Sequence, residues 1–136
     1  MELPLDFATP TTREQVGRLA KRSRNERFER ELAWQIKAHG LPEPNEQYHF
    51  AAELKRKFRA DFAWPKFLLL CEVHGAVWQR GGGGHSHPTG ILKDIERYQI
   101  ACLLGWHVAP VTTDQVNNGE AIALLERVFA SRGWKR

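Results

Sequence analysis

Cysteine is scarce in this chain. Cys71 and Cys102 are the two among 136 residues, too few to staple a fold by disulfides. Both sit in apolar segments and are read as reduced core thiols. Long hydrophobic runs are missing too. Phe67–Cys71, at five residues, is as long as any, against the ~20 that a membrane-spanning helix needs. The opening Met1-Glu2-Leu3-Pro4-Leu5-Asp6 lacks the basic-then-apolar order of a secretory leader. The expectation is an intracellular, cytoplasmic protein with no membrane partner. No internal repeat is visible. The glycines at 81–84 are followed by no Lys-Ser/Thr pair, which excludes a phosphate-binding P-loop. No Ser-His-Asp arrangement can be assembled.

What is present is an ordinary globular balance, 42% hydrophobic and 26% charged, long enough for one domain with a real core. The net charge of +4 is unevenly spread. Arg13, Arg18, Lys21, Arg22, Arg24, Arg27 and Arg30 crowd the N-terminal quarter. Lys55, Arg56, Lys57 and Arg59 form a second cluster, and Arg132, Lys135 and Arg136 close the chain. Basic clusters suit a polyanion such as DNA, although Glu14, Glu26, Glu29 and Glu31 are interleaved and also fit a solvated surface.

Thr11 or Thr12 can cap a first helix with a thin stripe of Val16, Leu19 and Ala20. Ser23-Arg24-Asn25 is read as a break, which divides the chain into a basic extension, 1–25, and a domain, 26–136. Phe28, Leu32, Ile36 and His39 predict a helix over 26–39, stopped by Gly40 and Pro42. Tyr48, Phe50 and Ala52 alternate with polar residues, as do Phe58, Ala60 and Phe62, which predicts two strands. Phe67–Val73 reads as a buried strand after a tight turn at Trp64-Pro65-Lys66. A Gly/His-rich loop over 75–90 precedes a helix over 92–104, with Ile91, Ile95, Tyr98 and Cys102 on its inner side. A strand over 107–111 and a helix over 119–131, capped by Asn118, complete the order α-β-β-β-α-β-α. Its inner residues are Ala121, Leu124, Leu125 and Val128. A hairpin start and one β-α-β crossover give a mixed sheet flanked by helices.

Two carboxylates interrupt the apolar strands. Asp61 follows Ala60, and Glu72 follows Cys71. A carboxylate among apolar residues is costly unless a cation or hydrogen bonds satisfy it. If the strands form a hairpin, Asp61 lies near Glu72, and hard oxygen ligands so placed suit a divalent ion. Glu72 and His74 share a strand face. Such a site can hydrolyse a phosphodiester, with a metal ion and a Lys or His activating water. The bland alternative leaves Asp61 as a strand-end cap and Glu72 paired with Arg59. His85 and His87 could join a transition-metal site only with further ligands. They otherwise belong to a loop over the substrate, or to a plain solvent loop. Trp78 and Trp134 are candidates to stack on bases.

These residues carry a family resemblance. Phe58-Arg59-Ala60-Asp61-Phe62-Ala63-Trp64-Pro65, then Glu72-Val73-His74-Gly75 with Trp78, then Lys93-Asp94 and Arg97-Tyr98, and Gly105-Trp106-His107-Val108 before Thr112 resemble the PD-(D/E)XK nuclease superfamily. The likeness spans roughly residues 26–130 and is closest to very-short-patch-repair-like and phage-encoded endonucleases. It implies a restriction-endonuclease-like fold and a Mg²⁺-dependent endodeoxyribonuclease, with Mn²⁺ able to substitute. Its substrate would be DNA, including branched or mismatched DNA, and a homodimer would suit cutting two strands. Asp61 and Glu72 would be catalytic metal ligands, joined by Glu31 on the first long helix, with Glu46 a second candidate. The usual Glu-x-Lys is here Glu72-Val73-His74, so the base would be His74 or a displaced Lys93. Arg18, Lys21, Arg22 and Arg24 would grip the DNA backbone outside the site. Arg59, Arg80, Arg97, His85 and His87 would meet its phosphates. A non-catalytic DNA-binding module on the same scaffold is the rival reading.

Overall fold

The computed structural model describes the backbone of residues 13–75 and 88–136, and side chains over 25–75 and 90–136. Helix α1 spans Arg13–Ala38. Strand β1 is Asn45–Tyr48, β2 Ala60–Trp64 and β3 Leu69–His74. Helix α2 runs Pro88–Leu103 and leads into β4, His107–Thr112. Helices α3, Thr113–Asn118, and α4, Glu120–Ser131, end the fold.

The sheet order is β1-β2-β3-β4. β1, β2 and β3 pair antiparallel in sequence, and β4 pairs parallel with β3. The protein is thus mixed α/β, with the predicted hairpin start and single crossover through α2. Strand β2 is shifted toward its C-terminal end, because Ala63 and Trp64 are as buried as Phe62.

Each face of the sheet carries a core. On one, Phe62, Trp64, Leu69, Cys71 and Val73 pack with Leu32 and Ile36 of α1, Val116 of α3, and Leu125 and Phe129 of α4. Phe129 anchors this side, edge-on to Trp64 at 5.1 Å and to Phe67 at 5.2 Å between ring centroids. On the other face, Ala60, Ala63 and Leu70 meet Ala101 of α2. The small residues there let α2 lie close to the sheet.

Three expectations are corrected. Helix α1 runs unbroken through Ser23-Arg24-Asn25, so the boundary placed at residue 25 falls inside a helix. Ser and Asn are weak helix formers but not breakers, and Asn25 packs its side chain onto Gly75. Helix α2 is rotated from the expected phase. Ile91 and Ile95 are 42% and 47% exposed and Cys102 is exposed, while Arg97, Tyr98, Ala101 and Leu104 face inward. The chain holds two stripes at helical spacing, and the sheet selects the one that brings Arg97 to the buried Glu72. Helix α4 turns slightly as well, burying Ile122 and Phe129 in place of Leu124 and Val128.

Helix α3 escaped the sequence reading. Its signal is a capping box: Thr112 Oγ1 accepts from the Gln115 backbone N–H at 3.1 Å, and Gln115 Oε1 accepts from the Thr112 N–H at 3.0 Å. Asn118 acts near its expected place, its Oδ1 accepting the Glu120 N–H at 2.9 Å. Gly40, at φ +65°, ends α1 as expected, and Gly105, at φ +85°, ends α2.

Candidate functional site

β2 and β3 are paired from Trp64↔Leu69 to Phe62↔Cys71, a register that sets Asp61 beside Glu72. There the backbone ladder gives way to a side chain. Asp61 Oδ2 accepts the Val73 N–H at 2.8 Å. A carboxylate that takes over a strand's backbone donor is fixed in place, with its second oxygen left for other partners.

One of those partners is Glu29 of α1, hydrogen-bonded to Asp61. Burial first, and then the Asp61 charge, push the Glu29 carboxyl up to about 7. Gln47, opposite Asp61 on β1 in the register that pairs Glu46 with Phe62 and Tyr48 with Ala60, donates to Glu29 Oε2 at 3.3 Å. Two carboxylates in contact share a proton or call for a cation.

Glu72 lies two residues beyond Leu70 and faces α2. It is 4% exposed, and an unpaired carboxylate at that depth would cost several kcal/mol. Arg97 supplies the charge in a two-pronged fork: Nη2 donates to Oε1 and Nη1 to Oε2, the latter at 3.3 Å. Arg97 Nη2 also donates to the Arg59 carbonyl at 3.1 Å, and Nη1 lies 3.8 Å from Asp94 Oδ1. His74 Nε2 sits 3.4 Å from Glu72 Oε2 and 3.4 Å from the Tyr98 hydroxyl. Burial, then the Glu72 charge, raise the Tyr98 hydroxyl to about 12. Below the carboxylates, the Cys71 thiol is pushed up by burial and by the charges of Asp61 and Glu72. It stays an un-ionised core residue.

The structure therefore brings Asp61, Glu72, His74 and Arg97 together. It does not bring Glu31 or Lys93 to them. Glu31 is exposed and accepts from Gln35 at 3.2 Å, beside α3. The acid of α1 that meets Asp61 is Glu29, which sequence reasoning counted only as surface charge. Both flank the buried stripe of Phe28, Leu32 and Ile36, on opposite sides, and only the docking of α1 decides which side meets the strands. Glu46 is exposed on β1, one residue before the Gln47 that reaches Glu29. Lys93 is exposed on α2, and no contact among the described residues ties it to the acids. Glu72 is paired with Arg97 and not Arg59, whose side chain is exposed. Arg80, His85, His87 and Trp78 lie outside the described residues, as do the side chains of Arg18, Lys21, Arg22 and Arg24. Trp134 packs on Phe129, at 6.0 Å between ring centroids.

Among the described residues, no three His, Cys, Asp or Glu side chains converge tightly enough to hold a metal ion as they stand. Nor is any described helix long and apolar enough to cross a membrane.

An uncharacterized protein of Mycobacterium tuberculosis is similar to this chain. It is MT2308 in strain CDC 1551 / Oshkosh and Rv2248 in strain ATCC 25618 / H37Rv, and each is 35% identical over 78 residues. The match covers 57% of this chain and 27% of each relative, so the chain spans little more than a quarter of their length. No protein-family model and no solved structure matches the chain.

Proposed function

We propose that this chain is a Mg²⁺-dependent endodeoxyribonuclease domain of restriction-endonuclease-like fold, with Mn²⁺ able to replace Mg²⁺. The observation that carries the reading is the meeting of Asp61 with Glu29 of α1 at the end of the β2–β3 ladder, where Asp61 stands opposite Glu72. Glu29 of α1 meets Asp61 of β2, and Glu72 of β3 stands across the ladder from Asp61 in the strand register. Packing alone gives no reason for it, since the contact between Glu29 and Asp61 is repulsive when both are ionised.

The donor set fits a divalent ion in kind. Carboxylate oxygens are hard ligands, and Asp61 is already oriented by Val73. Glu29 and Asp61 would hold the ion from one side, and Glu72 would join once released by Arg97. The ion supplies charge stabilisation at the phosphorus and a more acidic water. The chain's own groups do the rest. His74 lies between Glu72 and Tyr98, placed to take or give a proton at Nε2. Arg97, which donates to the Arg59 carbonyl, and the exposed Arg59 would meet phosphate oxygens. A homodimer would let one assembly cut both strands.

One observation favours the rival, a non-catalytic DNA-binding module. The Arg97 fork already neutralises Glu72, as it would in a scaffold that needs no metal. Incubation with linear, nicked, mismatched and four-way DNA, in Mg²⁺ and in EDTA, separates the two. Cleavage in Mg²⁺ that EDTA abolishes supports the nuclease. Binding that ignores EDTA, with no cleavage in Mg²⁺ or Mn²⁺, supports the module.

A further inference from the structure

Helix α2 has its polarity reversed. Its inner side carries Arg97 and Tyr98, which reach Glu72 and His74 of β3, while its outer side is apolar. Ile91, Leu92, Ile95 and Leu103 are 42%, 66%, 47% and 73% exposed. They are half of the eight large hydrophobic side chains exposed among the described residues, and they crowd onto one helix of 16 residues. Scattered singly such residues need no partner, but gathered in a stripe they mark a contact surface. Gln99 and Cys102 are exposed on the same side. The stripe carries no uncompensated charge, because Glu96 at its edge is ion-paired with Arg56. A surface of that kind offers nothing to the phosphates of DNA.

The spacing of the stripe points to what covers it. Its positions are 91, 92, 95, 99, 102 and 103, and the spacing is the same when run from the other end. Ile91 matches Leu103, Leu92 matches Cys102 and Ile95 matches Gln99, each pair centred on residue 97. A two-fold contact needs a patch that fits its own copy. Two α2 helices packed antiparallel, with the axis at the level of residue 97, set each of these residues against its match in the second copy. Glu96 is one residue from that centre, so the axis gathers two acids and their two guanidiniums into a charge-balanced cluster.

We infer that the outer face of α2 is a homodimer interface, in which the helix packs antiparallel on a second copy of itself. The inference names a surface that the nuclease reading does not supply, and it holds whether or not the chain cleaves DNA. A pair of helices of 16 residues makes a contact about 24 Å long, which buries less than the ~1,600 Å² of a standard interface. The dimer is therefore a weak one, with dissociation in the micromolar range.

Sedimentation of the full chain from about 1 to 200 µM, the range of such affinities, reads the assembly. Wild type should pass from monomer to dimer across it. Ile95→Glu sets like charges beside the axis and should raise the dissociation constant about 10²-fold or more. Because Ile95 is half exposed, this variant should melt as wild type does at concentrations where both are monomers. Gln99→Leu should lower the constant about tenfold, since each copy then buries an apolar side chain against Ile95. Cys102 reports the direction of packing. In the antiparallel pair the two Cys102 residues lie ten positions apart along the helices, about 15 Å, too far for a disulfide. Leu92→Cys places a thiol level with Cys102 of the second copy, while its own Cys102 is again about 15 Å away. Oxidation should link Leu92→Cys into covalent dimers and leave wild type unlinked, with the buried Cys71 taking no part. A wild type that stays monomeric overturns the inference and leaves the stripe to another protein or another stretch of this chain. Dimers indifferent to Ile95→Glu overturn it too. So do Leu92→Cys dimers that stay unlinked, or wild-type dimers that oxidise as readily.

Discussion

Replacing Glu29 by Gln should make the protein more stable above neutral pH and leave it little changed in acid. The folded state raises this carboxyl from 4.5 to about 7. A raised acid binds its proton more tightly in the folded state than in the unfolded one. Its favourable contribution is complete below pH 4.5 and is lost as pH climbs to about 7. Each pKa unit corresponds to about 1.36 kcal/mol, so the full rise would correspond to roughly 3 kcal/mol. Glu29 is only partly buried, and solvent screening reduces this to about 1 kcal/mol. Gln keeps an N–H to donate to Asp61 and has no proton to lose. Urea unfolding of both proteins at pH 5, 6, 7 and 8 measures the effect. Wild type should lose about 1 kcal/mol relative to E29Q across that range. At pH 8, millimolar Mg²⁺ should restore wild type more than E29Q, because the ion replaces the proton between Glu29 and Asp61. Parallel stability curves for the two proteins, with no differential effect of Mg²⁺, would refute the Glu29–Asp61 account.

Two further outcomes follow from the geometry. His74→Ala should lower the cleavage rate about 10²-fold, since His74 sits against Glu72 and Tyr98. Lys93→Ala, at an exposed position, should change it less than about threefold, and single-turnover rates compare the two. Gly75→Ala should destabilise the fold by about 1–3 kcal/mol, because the new Cβ would run into the Asn25 side-chain oxygen. Asn25→Ala should restore most of that loss, and thermal melts of the two single variants and the double variant decide it.

The hairpin, the crossover and the neighbouring places of Asp61 and Glu72 were legible in the sequence. All depend on alternation along strands and on Gly and Pro stops, which are local signals. The partners of those acids were not. Glu29 and Glu31 bracket one helical stripe and have the same local pattern, so the choice between them belongs to the packing of α1 on the sheet. Helix α2 offered two competing stripes, and the one with Ile91 and Ile95 is the more hydrophobic. The charge of Glu72 overrode it, because a buried carboxylate without Arg97 costs more than two half-exposed isoleucines. That His74 shares a strand face with Glu72 was visible at once. Its contact with Tyr98 required α2 to be placed first.

The central claim is that Asp61 and Glu72 serve a hydrolytic metal site and are not merely parts of a scaffold. Cleavage of four-way and mismatched DNA in Mg²⁺ by wild type, Asp61→Ala and Glu72→Ala tests it most directly, with DNA affinity and melting temperature measured on the same samples. Wild type should cleave, and each variant should lose cleavage while most of its DNA affinity remains. A folded Asp61→Ala or Glu72→Ala protein that cleaves at the wild-type rate would contradict the account.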